Sequence, residues 1–349
     1  MKRNYGIDFL RCFSMFMVVM LHILGHGGIL NNATSGSLNY GVAWLLETMA
    51  YCAVNCYALI SGFVGTKAKY RYTNIVMLWL QVVFYTILIT FLFFVAFPGT
   101  VGLKDIITAV LPVTRYTYWY FSVYFGLFIL MPILNAGVNA LTEKQAYITV
   151  FLLTGVFSLC AIFSGVVVSA DVFNLNSGYS VLWLCVLYII GGCIGKYDML
   201  KKIRSVYLGI GYAVCVIFTV AFKLVIEKLG IGRGAGILIN YISPTILISA
   251  VCLLGLFSRL KTNETAEKII GFFAPASLGV YLIHDHPLIR AKLMHNRFES
   301  LTDKNAIVMA ASVIGLAVGI FIVCSLVDKL RIALFNKLRI KEFVSKIDK

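Results

Sequence analysis

The chain has 349 residues, of which 60% are hydrophobic and only 13% charged, with a formal net charge of +15 and a mean hydropathy of +0.90. A soluble domain carries about 25% charged residues, so this composition excludes a water-covered globule and specifies an all-α, polytopic membrane helix bundle. No Pro/Ser-rich linker interrupts the apolar runs. The chain therefore reads as one integral membrane domain, 1–328, followed by a basic tail, 329–349.

A span needs about 20 mostly apolar residues, and this rule predicts about ten: 7–27, 41–65, 75–97, 118–139, 146–168, 180–196, 206–227, 237–258, 270–289 and 306–328. Lys2 and Arg3 precede the first run as in a secretory signal. However, Arg11 and His22 interrupt that run and no small-x-small cleavage pattern follows, so it reads as a retained span. Ile106–Leu111, before Pro112, is too short to cross and reads as interfacial or re-entrant. Gly191-x-x-x-Gly195 and Gly315-x-x-x-Gly319 have the spacing of close helix packing. The tail from Leu330 to Val344 mixes basic and apolar residues like an interfacial helix.

Positive charge sets the orientation. Of the 30 Lys and Arg residues, 20 fall on the N-terminal side of the membrane: the N-terminus, the even-numbered loops and the tail, including Lys2, Lys67, Lys69 and Arg71. Nine, among them Arg115, Arg233 and Arg290, fall on the odd loops and adjoining helix ends. Both termini are therefore expected in the cytoplasm, in agreement with an even number of spans. Topology and attraction to anionic membrane lipid account for the charge, and no nucleic-acid partner is needed. The nine cysteines lie almost entirely in apolar spans and read as buried small hydrophobes rather than a disulfide framework or metal site.

Arg11 and His22 carry the clearest chemical signal. Eleven residues turn an α-helix through roughly 1100°, about 20° past three full turns, so both lie on one face about 16 Å apart. A charged residue at mid-membrane costs about 2.5–3.5 kcal/mol on insertion scales and seldom persists without a partner or a task. Asp8, three residues before Arg11, has the spacing to pair with it. His22, with an ordinary imidazole pKa near 6.5, is suited to take and return a proton or to accept an acyl group as a nucleophile. Lys67, Lys69 and Arg71 read first as topology determinants and only second as a site for a phosphorylated donor. Trp119 and Tyr120 read as an interfacial aromatic belt or as a platform for a sugar ring. His284, Asp285 and His286 are adjacent on a helix end and point in different directions, so no metal is expected there. Lys223 and Glu227 pair at a helix boundary where snorkelling explains them, while Glu47 is left unassigned.

These residues resemble the acyltransferase type 3 family of integral membrane acyltransferases. The resemblance lies in Gly6-Ile7-Asp8-Phe9-Leu10-Arg11 with His22 further along the same helix, Asn55 through Ser61-Gly62-Phe63, Tyr118-Trp119-Tyr120-Phe121 through Pro132-Ile133-Leu134-Asn135, and Leu278–His284. It covers essentially the whole chain. It implies a transferase of groups other than aminoacyl groups, moving an acyl group, usually acetyl, from cytoplasmic acyl-CoA to a hydroxyl of a cell-surface polysaccharide or lipid-linked glycan. No cofactor is implied beyond the acyl-CoA donor. His22 and Arg11 would be catalytic, Lys67, Lys69 and Arg71 would meet the donor, and Asp8, Trp119, Tyr120 and His284 would meet substrate. Many members carry Asp-Leu-Phe-Phe where this chain has Asn55-Cys56-Tyr57-Ala58, so the role of that acidic residue does not transfer. The rival reading is a transporter or ligand-binding membrane domain, which should show internal repeats. No convincing repeat joins the two halves.

Overall fold

The computed structural model describes residues 3–113, 116–231 and 234–348, so Lys2, Arg115 and Arg233 lie outside the described residues. Among these residues every regular element is helical. The principal helices are α1 (Tyr5–Leu24), α2 (Leu38–Tyr51), α3 (Ala53–Gly65), α4 (Tyr72–Ala96), α5 (Trp119–Ala140), α6 (Glu143–Val167, through a π-helical turn at Gly155–Cys160), α7 (Val181–Tyr197), α8 (Ser205–Lys228), α9 (Pro244–Ser258), α10 (Glu264–Phe273), α11 (Ser277–His284) and α12 (Ala306–Lys337). Eight described segments are long and apolar enough to cross a membrane, with α2–α3 and α10–α11 each forming one segment. The shorter α7 and α9 match the sixth and eighth expected spans. The protein is a multi-pass membrane bundle.

Three boundaries differ from expectation. The eighth expected span begins as helix α9 at Pro244 rather than 237, because residues before it form turns and a proline without an N–H fits the first helical position. The ninth begins at Glu264, narrows to a 3₁₀ turn at Ala274–Ala276 around Pro275, and ends at His284 ahead of Pro287. The last runs on past 328 to Lys337, with Asp328 and Arg331 buried and paired at 2.7 Å. The short helix Leu103–Val110 packs on α4, where the Thr86 hydroxyl donates to the Ala109 carbonyl at 2.6 Å.

α1 sits at the centre. Of its most apolar window 72% is buried, against 11% for α6, which presents its sides outward. Asn4 caps it, accepting from the Ile7 N–H at 3.1 Å and donating to the Ser258 carbonyl at 3.0 Å, which ties its start to the end of α9. A Cβ on Gly6 would lie 1.9 Å from the Phe257 carbonyl oxygen, so only glycine lets the two backbones meet there. Beyond α1, the His26 and Gly27 carbonyls accept from the Asn296 and Phe298 N–H groups, joining its exit to the loop that follows α11. At the far end of the chain, the Asp348 carboxylate accepts from the Tyr72 N–H at 2.7 Å and the Thr73 hydroxyl at 2.5 Å. The Thr73 bond chiefly holds its pKa below the usual carboxylate range.

The glycine pairs divide. Gly191 and Gly195 bring α7 onto α3, with added Cβ atoms 2.1 Å from the Leu59 oxygen and 2.7 Å from the Phe63 oxygen. Cβ atoms added to Gly315 and Gly319 would meet no neighbouring element within 4 Å among the described residues, which corrects the expectation that they pack a helix within this chain. Gly191→Ala should therefore destabilise the detergent-solubilised protein by about 1–3 kcal/mol, the cost of overpacking. Gly315→Ala should leave stability unchanged or raise it by up to about 1 kcal/mol through helix propensity. Thermal unfolding of the two variants side by side checks both.

Candidate active site

Two cavities flank α1. The larger, about 870 Å³, opens at its N-terminal end and is lined by Asp8, Arg11, Lys67 and Lys69. Arg3, Lys201 and Arg259 add three cations that sequence reasoning did not single out. Asp8 is buried and its two oxygens accept from Arg3 Nε and Arg11 Nη1, each at 2.5 Å. Asp8 thus belongs to the Arg11 end and orients that guanidinium rather than joining Trp119 and Tyr120. The hydrogen bond to Asp8 also raises the pKa of Arg3. Arg71 lies in an adjoining cavity of about 230 Å³ with Lys69, Arg11 and Asn135.

The second cavity, about 360 Å³, lies toward the C-terminal end of α1 and is lined by His22, His26, Trp119, Tyr120, Asp285 and Arg290, among others. His22 Nδ1 and His284 Nε2 are 2.8 Å apart, and His284 Nδ1 is 2.6 Å from the Val280 carbonyl. A carbonyl only accepts, so His284 Nδ1 carries a proton. With both rings neutral, His284 Nε2 accepts from His22 Nδ1–H, which leaves the lone pair of His22 on Nε2. The pair therefore presents a free imidazole lone pair on a ring oriented by a second histidine, itself fixed by backbone. Asp285 stands 3.6 Å from His22 Nδ1, 3.8 Å from His26 Nε2 and 3.3 Å from Arg290 Nη1.

Arg11 and His22 do not share a cavity. A space of about 170 Å³ lies between, bordered by Arg11, Ser61 and Tyr124 on one side and by Tyr57, Tyr120 and Leu278 of the His22 cavity on the other. Tyr57 spans this junction, donating to the Arg11 carbonyl at 2.7 Å.

His22, His26 and Asp285 offer donor atoms within 4.8 Å of one another, a spacing that suits a metal ion. Against this, His22 Nδ1 is engaged with His284 and the Arg290 cation already faces Asp285, so the group reads as a hydrogen-bonded charge cluster. His286 is turned elsewhere, accepting from the Leu288 N–H at 3.2 Å; the helix ends at His284, so the turn beyond it, rather than the spacing of adjacent helical residues, sets the ring's direction.

Sequence reasoning missed Arg290, which entered only as a topology charge, and the wall residues Tyr51, Tyr179 and Tyr241. Each comes from a different segment, and no local spacing links them. Asn55, where the resembling family often has Asp, proves to hold this wall. Its amide donates to the Tyr241 carbonyl at 2.8 Å and its oxygen accepts from the Trp183 indole N–H at 3.2 Å.

Residues 4–328 match the family model Acyl_transf_3, described as an acyltransferase domain. No curated protein and no solved structure matches the chain.

Asn55→Ala leaves a buried indole N–H and a buried carbonyl without partners. It should cost about 1–3 kcal/mol, read as a lower unfolding midpoint of the purified protein.

Proposed function

The chain belongs to this acyltransferase family, its model spanning all but the ends of the sequence, and from that premise we propose that it moves an acyl group, acetyl in the simplest case, from cytoplasmic acyl-CoA to a hydroxyl of a cell-surface polysaccharide or lipid-linked glycan precursor. The observation that carries the reading is the arrangement along α1: a cationic cavity at one end, a histidine base at the other, and a narrow aromatic-walled space between.

CoA is polyanionic, and guanidinium and ammonium groups pair with phosphate oxygens. Arg3, Arg11, Lys67, Lys69 and Lys201 supply such groups around the large cavity, and Arg71 beside it. The excess of basic residues on this side favours a cytoplasmic placement for both termini in the cell membrane. With the phosphates held there, the thin pantetheine arm runs past Arg11 and Tyr57 and delivers the thioester to His22. The acceptor enters the second cavity, where Trp119 and Tyr120 receive its ring and His22 Nε2 takes the hydroxyl proton. The freed oxygen attacks the thioester carbonyl, the C–S bond breaks, and the imidazolium returns the proton to the departing CoA sulfur. His284 holds His22 in the tautomer this needs, and Arg290 stands where it can oppose negative charge developing on the carbonyl oxygen.

Membranes incubated with radiolabelled acetyl-CoA should transfer label to glycan. His22→Ala should lower that rate by at least about 10²-fold, the usual share of a general base. Arg71→Ala or Lys201→Ala should raise KM for acyl-CoA about three- to tenfold with kcat kept, the range of a partly screened ion pair. Full transfer by His22→Ala removes the mechanism, and an unchanged acyl-CoA dependence removes the donor site.

A further inference from the structure

Glu47 is 8% exposed, borders the His22 cavity, and its Oε2 has no hydrogen-bond partner. The hydroxyls of Tyr120 and Tyr281, which border the same cavity, are buried and unpartnered as well. Three such groups around one cavity depart from the rule that buried polar atoms are satisfied, and a carboxyl oxygen is the costliest of them to leave bare. One stretch of the wall is aromatic and continuous. Tyr51 stacks on Tyr241 with ring centroids 4.7 Å apart, Tyr241 lies 5.8 Å from Trp119, and Trp119 lies 4.3 Å from Tyr179.

The wall is rigidly made. Asn55 holds the Tyr241 backbone. Gly178, at φ +95, admits no side chain, since a Cβ would stand 2.5 Å from the Tyr241 Cβ, and it sets Tyr179 in place. Glu47 itself comes from α2, just before the break at Cys52 that separates α2 from α3. None of these contacts is needed to hold His22, which is fixed by His284.

We infer that Glu47 and the rings of Tyr51, Trp119, Tyr179 and Tyr241 form the acceptor subsite, which takes a pyranose ring with Glu47 accepting a hydrogen bond from one of its hydroxyls. The inference rests on the glycan-acceptor reading and adds to it the residues that choose the sugar. A pyranose matches both halves of the surface. Its C–H face is weakly positive and apolar, which suits the electron-rich face of an aromatic ring. Its rim of hydroxyls supplies donors and acceptors to a carboxyl and two phenols. A site built to hydrogen-bond a hydroxyl discriminates strongly against a ligand that lacks it, so Glu47 is a specificity-determining residue, separate from the proton transfer at His22.

The test is binding to the full chain in lipid nanodiscs, followed by tryptophan emission, using hexyl glycosides of glucose, galactose and N-acetylglucosamine with hexanol as the non-sugar control. At least one glycoside should shift the emission saturably, hexanol should not, and Trp119→Phe should remove the signal. Glu47→Met, similar in length and without an acceptor oxygen, should raise Kd about three- to tenfold, the effect of losing one hydrogen bond. Tyr120→Phe, which keeps its ring, should weaken binding several-fold and serves if Glu47→Met fails to fold. Equal responses to hexanol and glycosides, or unchanged affinity in a folded Glu47→Met, would overturn the subsite. No glycoside response alongside His22-dependent transfer of label to glycan overturns the subsite and leaves the transfer reading standing. Glycoside binding weakened in Glu47→Met, without label transfer in the wild type, supports the subsite and counts against that reading.

Discussion

The hydrogen bond between His22 and His284 joins residues 262 positions apart, and it exists only because two helices end at the same depth in the bundle. α1 reaches that depth from a capped start at Asn4, and α11 reaches it after the 3₁₀ turn at Ala274–Ala276. The exits of both are then laced together by the bonds from Asn296 and Phe298 to the carbonyls of His26 and Gly27. Moving either helix by one residue would displace a ring by about 1.5 Å along its axis and turn it by about 100°, which is enough to break the pair. The glycines at close approaches, Gly6 against α9 and Gly279 against Asp328 of α12, are what fix the depth.

The same helix solves an electrostatic problem at each end in a different way. At its start, Asp8 is buried between two arginines, and Arg11 keeps part of its guanidinium accessible, with a third of its side chain exposed. At its end, no strong cation is attached to α1. Asp285 and Arg290 bring opposite charges from the neighbouring segment to the edge of the histidine cluster. Fixed charge thus surrounds the large cavity at the start of α1, and an uncommitted imidazole nitrogen stands at the other end. Such division suits a reaction in which one substrate is highly charged and the other is recognised through hydroxyls.

What could be read from sequence followed the periodicity of single helices. The shared face of Arg11 and His22, the Asp8 pair and the basic run from Lys67 to Arg71 are all local relations, and the structure places each on one helix or loop as the spacing requires. Local spacing was silent wherever a feature is assembled from distant segments. The cavity wall draws Tyr51, Trp119, Tyr179 and Tyr241 from four places in the chain, so the cluster at 118–120 looked like an interfacial belt. Lys223 was read as snorkelling at a boundary, yet it is 5% exposed, bonded to Glu227, and sits 3.9 Å from the centre of the Trp44 ring. Its environment comes from α2, which spacing within α8 cannot reveal. Glu47 did leave a trace, as a lone carboxyl in an apolar run, but its surroundings gave it meaning.

Asp348 offers a different kind of lesson. It closes the first turn of α4 by accepting from Tyr72 and Thr73, directly after the basic loop ending at Arg71. A ribosome makes that turn some 275 residues before it makes its cap. The turn that follows Lys67, Lys69 and Arg71 therefore stays without its cap until residue 348 has been made, so a late part of the chain completes one of its early helix starts.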